Sequence, residues 1–529
     1  MLLVAWVYGF SPRASSGDPG VKLAQADALW ESSFQSRGLL RDEKIDPQGS
    51  YTPYGLPFVR VVDHDVQGIY SVVFTGLAAP PIGLLGMRGA AVVPLLGSLL
   101  VALGLGLLLR RLGASPAWTF ATCAIALLAT PILLYSSELF EHTLAAGLVT
   151  LALAVMVSSE ESPHPRPWLA GLLVGAAGAV RPEAYCAVAA LGVGVALAPA
   201  ATRRDRLLIC THYLAGALAV LVPYWLLNLV SAGAWDPAVA TNVGRSATME
   251  GARTILITRI KDGSWLWFLC LPAVALAALI PPRLGRGCAR LAAFIAAGLA
   301  LAVLAYLAQE HSTDRTTAGL LAVTPLACWG LATGPFEART RLLWIFVLLY
   351  GPLVVLLDRS GTAGGFQVGA RYLIPIVPVL LVLVAARVRR EMATGNHLVK
   401  AMVALPAVLL LALTVRGFFG SRALPKYLDI LDKGVAAEDV VRELNGQIVV
   451  TRRLWESRVL APLTLKGVDL YTCQGELGSV LTESLAARGI TRFIYVSNRA
   501  IDIPLADGRH ARTVQQHTGW MPLQEVRIQ

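Results

Sequence analysis

Long stretches without Asp, Glu, Lys or Arg recur along the chain, each followed by a short polar or basic interval. Gly89 to Leu109 and Leu207 to Leu229 are the clearest. A bilayer core about 30 Å thick needs about 20 apolar residues in a helix, and these runs meet that length. Strong candidate segments lie near 89–109, 115–135, 143–157, 207–229, 291–308, 342–357, 372–386 and 401–415, with weaker ones near 1–10, 168–198, 266–280 and 318–334. The pattern predicts an α-helical polytopic membrane protein with about 11–13 transmembrane segments.

The pattern changes near Ser421. "GQIVVTRRLW" reads as a buried strand, "GELGSVLTESLAARG" as a helix closed by Gly489, and "ITRFIYVSN" as a second strand. This βαβ-like order predicts a small C-terminal α/β domain over 421–529, after a membrane domain over 1–420. The tail carries no Gly-rich phosphate loop and no nucleophile constellation. An accessory role in acceptor binding, or in packing on the membrane domain, is expected of it.

Composition agrees with the membrane reading. Of 529 residues, 55% are hydrophobic and 15% charged, and the mean hydropathy is +0.61, too apolar for an ordinary soluble enzyme. The net charge of +11 is spread between apolar runs rather than gathered on one soluble face, so anionic lipid is the expected partner and nucleic acid is not. Six of the seven cysteines (Cys123, Cys186, Cys210, Cys270, Cys288, Cys328) fall in or beside apolar segments, and only Cys473 lies in the tail. No disulfide framework or zinc spacing results.

Basic clusters mark alternate loops: Arg110/Arg111, Arg203/Arg204/Arg206, Arg283/Arg286/Arg290, Arg339/Arg341, and Arg387/Arg389/Arg390 with Lys400. The positive-inside rule makes those loops cytoplasmic. The loops at about 11–70, 136–142, 232–264, 309–317 and 358–371 then face outward, with the tail. This parity requires Met1 to Phe10 to count as a crossing and Trp168 to Ala198 as two short crossings meeting at Arg181. Met1 to Phe10 is too short to span and does not resemble a cleaved signal peptide, so a truncated start is expected.

In the first outer loop, Gly17-Asp18-Pro19-Gly20 reads as a loop-to-helix junction, with Asp18 suited to the N-cap and Pro19 to the first turn. Leu23, Ala26, Trp30 and Phe34 then recur on one helical face, with Lys22, Gln25 and Glu31 elsewhere on the wheel. The expected element is an amphipathic helix lying on the outer interface. Local sequence makes Asp18 a helix cap. Its position, directly after the first membrane segment and on the outer side, makes it a candidate for chemistry.

The ordered series "SGDPGVKLAQADALW", "YSVVFTGLAAPPIGLLGMRGAAVVPLLG", "YSSELFEHTLAAGL", "GLLVGAAGAVRPEAY", "PYWLLNLVSAGAWDP" and "GARYLIPIVPVLL" resembles the GT-C superfamily of integral-membrane glycosyltransferases over about residues 1–415. It is similar there to the protein mannosyltransferases and to the aminoarabinose transferases of lipid A. The resemblance implies a sugar donor on polyprenyl phosphate, and an acidic residue in the first outer loop acting as catalytic base or acceptor-binding group. Asp18 is the matching position. Where the family often has two adjacent acidic residues, this chain has Pro19 after Asp18.

Other outer loops supply further candidates. Glu138, Glu141 and His142 in "SSELFEH" offer a second carboxylate, an acceptor site or a metal ligand, against a plain solvated loop. Arg181 and Glu183 interrupt an apolar region, where ionisable groups are paired or functional: they satisfy each other, or Arg181 contacts the donor phosphate. Arg371 with Tyr372 in "GARYLIP" either clamps phosphate or anchors a helix at the headgroups. Arg245, Arg253, Arg259 and Lys261 make an unusually basic outward loop that would cover the site. Asp63, His64 and Asp65 form a polar cluster suited to acceptor or metal, or a solvated turn.

The expected function is transfer of a hexosyl or pentosyl group from a polyprenyl-phosphate donor to a lipid, glycan or protein acceptor, on the extracytoplasmic side of a membrane. A divalent metal is left open. The Ala/Gly/Arg-rich composition suggests a GC-rich bacterial genome, and the expected location is a bacterial cytoplasmic membrane. The alternative is a polytopic transporter or flippase of lipid-linked sugars, against which no duplicated half with matching broken helices is visible. A polymerase or ligase of lipid-linked glycans would place its key residues in a large later outer loop.

Overall fold

The structure, a computed structural model, describes residues 17–39, 45–46, 48–55, 58–62, 65–157, 166–197, 202–240, 286–310, 317–318, 320–333, 338–357, 367–368, 371–420, 423–518 and 521–529. The expected crossings at Met1 to Phe10 and near 266–280 lie outside these residues, as do Asp63, His64, Arg245, Arg253, Arg259 and Lys261.

Helix α1 (Asp18–Glu31) leads into a hairpin of β1 (Val59–Val62) and β2 (Asp65–Gly68). Then come α2 (Val72–Leu85), α3 (Val92–Arg111), α4 (Pro116–Leu128), α5 (Ile132–Ser137), α6 (His142–Met156), α7 (Pro167–Val180), α8 (Ala184–Ala196), α9 (Arg203–Ala232), α10 (Arg286–Glu310), and, beyond a broken stretch, α11 (Arg341–Leu357), α12 (Ile376–Thr394) and α13 (His397–Phe419). Among the described residues, three helical runs are long and apolar enough to cross a bilayer: Val72–Arg111, Arg203–Ala232 and His397–Phe419. Shorter apolar helices, α6, α7 and α8 among them, pack with these. The chain is a multi-pass membrane protein.

Several breaks follow from local chemistry. The expected segment 115–135 divides into α4 and α5 at Thr130-Pro131, where the Thr130 hydroxyl donates back to the Ala126 carbonyl at 2.5 Å. The segment 318–334 divides into four-residue helices, Leu320–Val323 and Pro325–Cys328, and a 3-10 turn. Residues 168–198 form two helices that meet at Arg181, as the charge parity required. Arg181 stands before Pro182 and takes an extended backbone, which ends α7. Close approaches rest on small residues. A Cβ at Gly97 of α3 would lie 2.3 Å from the Leu144 nitrogen of α6, and one at Gly171 of α7 would lie 2.0 Å from the Tyr213 carbonyl of α9.

After α13 comes α14 (Ala423–Glu443), then β3 (Ile448–Thr451), α15 (Leu454–Leu460), β4 (Asp469–Thr472), α16 (Ser479–Ala487), β5 (Arg492–Val496), β6 (Asp502–Pro504), β7 (His510–His517) and β8 (Leu523–Ile528). The six strands form one sheet in the order β4-β3-β5-β8-β7-β6. β3 runs parallel to both β4 and β5, while β8 runs antiparallel to β5 and β7. Ile448, Val450, Phe493 and Tyr495 pack with Leu481 and Leu485 of α16; Val449, Leu470 and Ile494 pack with Val441 of α14 and Val459 of α15. The β3-α16-β5 order matches the sequence, and Gly489 takes the left-handed φ of +74° that ends α16. β4 and the antiparallel half had not been anticipated.

This sheet is joined to the segment between α1 and β1. Ile45 packs into the sheet's core, and the Thr472 nitrogen of edge strand β4 donates to the Tyr51 carbonyl at 2.8 Å. The Ala461 side chain packs with the core around α1. A Cβ at Gly20 of α1 would lie 2.3 Å from the Arg458 carbonyl of α15.

One expectation is corrected here. Helix α1 does not lie on an interface with a wet face: Lys22 and Gln25 are buried along with Leu23 and Ala26, while Phe34 is exposed. A wheel drawn on α1 alone cannot anticipate that α2 on one side, and α15 with the 3-10 turn Ala461–Lys466 on another, cover it.

Candidate active site

Helix α1 begins at Asp18, with Gly17 as its N-cap at φ +65° and no side-chain cap. Gly17 supplies the left-handed conformation and Pro19 preorganises the first turn. Asp18 is therefore inside the first turn rather than at the N-cap, which corrects the capping expectation. Its Oδ2 instead lies 3.1 Å from Nη1 of Arg371, and the carboxylate keeps 18% side-chain exposure.

One helical turn on, Lys22 shares the Asp18 face. Its Nζ donates to Oε2 of Glu141 and stands 4.6 Å from the Tyr70 ring centroid and 4.8 Å from that of Phe140. The other Glu141 oxygen accepts from Nη1 of Arg181 at 2.6 Å. Arg181 also lies 2.9 Å from Glu183 and 3.1 Å from Nδ1 of His142. Nη2 of Arg371 donates to the Tyr372 hydroxyl at 3.0 Å, and the Tyr372 ring sits 5.0 Å from the Arg371 guanidinium and 5.2 Å from that of Arg181. These contacts make a continuous chain, Asp18, Arg371, Tyr372, Arg181, Glu141 and Lys22, in which each carboxylate meets a cation and the neutral Tyr372 separates the two arginines.

The electrostatics keep Asp18 ionised. Burial opposes its charge, but Arg371, Lys22 and Arg458 outweigh that and hold its carboxyl below the usual range. Burial opposes the charge of Glu141 in the same way, and Lys22 and Arg181 hold it low. Arg458 comes from α15 of the C-terminal domain, its guanidinium 4.3 Å from the Phe58 ring. Among the side chains named, the cations Lys22, Arg181, Arg371 and Arg458 outnumber the carboxylates Asp18, Glu141 and Glu183, so the site favours an entering anion.

Asp18, Glu141, His142, Arg181, Arg371 and Tyr372, scattered in sequence, thus converge. The 136–142 stretch is not a solvated loop: Glu138, Glu141 and His142 are all buried. His142 stacks on Tyr135 at 4.7 Å, and its Nε2 has no hydrogen-bond partner among the described residues. Arg181 and Glu183 do satisfy each other, and Glu141 shares the arginine. Asp65 is exposed on the β1–β2 hairpin. Among the described residues, no three His, Cys, Asp or Glu side chains are grouped to hold a metal ion.

Sequence reasoning missed Lys22, Tyr70, Tyr135 and Arg458 as members of this site. Only Lys22 carried a local signal, its i,i+4 spacing from Asp18. Arg458 joins through a contact across the fold that no local pattern encodes.

No family model matches the sequence, and no curated protein matches it. Solved structures do resemble the fold. The structure of ArnT from Cupriavidus metallidurans bound to undecaprenyl phosphate has a TM-score of 0.55 at 13% identity, over 99% of this chain and 96% of that one. The apo state of the same protein has a TM-score of 0.50 at 11% identity with the same coverage. The apo oligosaccharyltransferase of Archaeoglobus fulgidus has a TM-score of 0.43 at 13% identity, over 91% of this chain and 66% of that one, too low to carry an argument. Membrane helices and C-terminal sheet together, this chain has the fold of the ArnT structures.

Proposed function

We propose that the protein is a membrane glycosyltransferase that moves a sugar from a polyprenyl-phosphate donor to a hydroxyl of a lipid, glycan or protein acceptor. The observation that carries this reading is an ionised, partly exposed carboxylate, Asp18, held directly against a buried guanidinium, Arg371. The ArnT fold, in a structure holding undecaprenyl phosphate, supports the donor class.

The chemistry divides between the two partners. Asp18 accepts the proton of the acceptor hydroxyl as its oxygen attacks the anomeric carbon. The bond from that carbon to the phosphate oxygen breaks, and the polyprenyl phosphate leaves with the electron pair. Once protonated, Asp18 no longer balances Arg371, whose Nε is buried without a partner among the described residues. The released guanidinium charge then meets the phosphate as its own charge grows. Arg181, already engaged by Glu141 and Glu183, acts as a fixed positive charge behind it rather than as a free clamp.

The site belongs on the extracytoplasmic side of a bacterial cytoplasmic membrane by the charge of the loops, with the C-terminal domain on the same side. The transferred group is a hexose or pentose. Purified protein incubated with a panel of labelled polyprenyl-phosphosugars and a membrane extract tests this: sugar should appear on acceptor with stoichiometric release of polyprenyl phosphate. Movement of intact donor between leaflets without cleavage would instead establish the flippase alternative.

A further inference from the structure

A cavity lies on the side of α1 turned away from the Asp18 cluster. Ala24, Asp27 and Glu31, at i, i+3 and i+7, line it from the helix. The Thr52-Pro53-Tyr54 segment, the turn after α15 and Asp469 of β4 line it from the other sides. The space is about 330 Å³, enough for a small molecule.

Its lining runs from an enclosed acidic end to an open one. Asp27 is half-buried and Tyr54 is 2% exposed, whereas Glu31 and Asp469 are exposed. Leu39, Val66 and Leu465 add an apolar wall. None of the lining residues is Lys, Arg or His, and among the described residues neither Asp27 nor Glu31 has an ion-pair partner. The basic side chains of the adjoining elements are engaged elsewhere: Lys466 pairs with Glu438 at 3.0 Å, and Arg458 serves Asp18. The Tyr54 hydroxyl lies in the field of Asp27 and is buried with no hydrogen-bond partner among the described residues, a state that a ligand donor would relieve. Two ligand classes do not match. The carboxylates are not grouped to hold a metal ion among the described residues. A polyhydroxyl ring would find few neutral partners, since the Thr464 hydroxyl already donates to the Ala461 carbonyl at 2.8 Å.

We propose that this cavity binds an aliphatic diamine, a short methylene chain with a primary ammonium at each end. One ammonium enters beside Asp27 and donates to the Tyr54 hydroxyl, the methylenes lie on the apolar wall, and the second ammonium stays at the open end with Glu31 and Asp469. Each charge then keeps a counter-charge, and the buried part of the chain is apolar. Burial, with the charge of Glu31 one turn on, pushes the Asp27 carboxyl up to about 6 while no cation is near. The groups facing it are Glu31 on its own helix, Tyr54 from the segment between α1 and β1 and Asp469 from β4. An ammonium beside Asp27 favours its ionised form, so binding expels that proton and weakens as the pH falls below about 6.

The site does not depend on the transferase reading, and direct binding tests it. Isothermal titration of the purified full chain in detergent at pH 7 would use 1,4-diaminobutane, with butylamine as the single-charge analogue, 1,4-butanediol as the uncharged one and Mg²⁺ as an inorganic dication. Saturable diamine binding is expected, about tenfold or more weaker for butylamine and for Asp27→Asn, the loss expected for one charge-assisted hydrogen bond, with none for the diol. Wild-type affinity should fall about tenfold from pH 7 to pH 5, where most Asp27 carries a proton, and Asp27→Asn should lose that dependence. Tyr54→Phe should weaken binding by a smaller factor. Ala24→Leu, which fills the cavity and keeps every charge, should abolish it, with thermal unfolding showing each variant folded. Absence of saturable binding, equal affinity for butylamine or for Mg²⁺, or wild-type affinity in a folded Asp27→Asn variant would overturn the proposal.

Discussion

Glu141 is the joint of the charged cluster, and its replacement by Gln gives a sharp quantitative expectation. The side chain is 10% exposed and receives two cations, Lys22, itself 1% exposed, and Arg181. In Glu141→Gln, Arg181 keeps Glu183, but Lys22 is left buried with only the field of Asp18. Removing one partner of a buried pair costs about 3–5 kcal/mol, because the remaining charge is neither hydrated nor matched. Lys22→Met alone removes the other end and should cost less, since Glu141 keeps Arg181. The double variant Lys22→Met/Glu141→Gln has no stranded ammonium, so its loss should fall short of the sum of the two single losses by about 1–3 kcal/mol. The assay is chemical unfolding in detergent of the four proteins, read by tryptophan fluorescence and by far-ultraviolet circular dichroism. Additive losses in the double variant would refute the reasoning, showing that Lys22 and Glu141 do not depend on each other.

Three further outcomes follow from the same geometry. Gly20→Ala places a methyl where the Arg458 carbonyl stands at 2.3 Å, and should cost about 1–3 kcal/mol and slow sugar transfer by displacing Arg458 from Asp18; a variant with wild-type unfolding would contradict the close approach. Burial pushes Glu438 of α14 up to about 7 despite its 3.0 Å pair with Lys466. The folded chain therefore holds this proton more tightly than the unfolded one, so the contribution to stability is full below about pH 4.5 and is lost as pH rises through about 7. Glu438→Gln should flatten that part of the pH dependence and stabilise the chain at pH 8 by about 1–3 kcal/mol, measured as the difference from wild type at each pH. Arg371→Lys keeps the charge but loses the fork that reaches Asp18 and Tyr372 together, so turnover should fall about tenfold or more with little change in stability; unchanged turnover would remove Arg371 from the reaction.

What the sequence disclosed depended on contrast. Arg181 and Arg371 stand beside apolar runs, where a charge is conspicuous, and Asp18 stands at a glycine-proline junction. Their convergence was legible only as far as the resemblance ordered the motifs. The places of most described apolar helices were readable from apolar length, but the break at Thr130-Pro131 and the fragmentation after Leu320 were not. There, backbone chemistry at proline and threonine overrides hydropathy. The burial of Lys22 and Gln25 was hidden because a single-helix pattern treats polar residues as wet. In the fold, Glu141 and the Tyr70–Thr75 segment cover that side, Lys22 donating to Glu141 and Gln25 to the Tyr70 carbonyl and the Thr75 hydroxyl. The strands β6 and β7 carry many exposed polar residues, and β8 buries Gln524 and Glu525 among its apolar positions, so the three give little apolar signal of their own.

The central claim is that Asp18 takes the acceptor's proton, and the Asp18→Asn variant tests it most directly. Asn keeps the size of the side chain and removes the charge that Arg371 faces. Purified wild type and variant would be compared for transfer from the active polyprenyl-phosphosugar and for donor binding. The account predicts loss of transfer by about a hundredfold or more, the low end of what a general base contributes, with donor still bound. Transfer at the wild-type rate by a folded Asp18→Asn variant would contradict it and return Asp18 to a structural partner of Arg371.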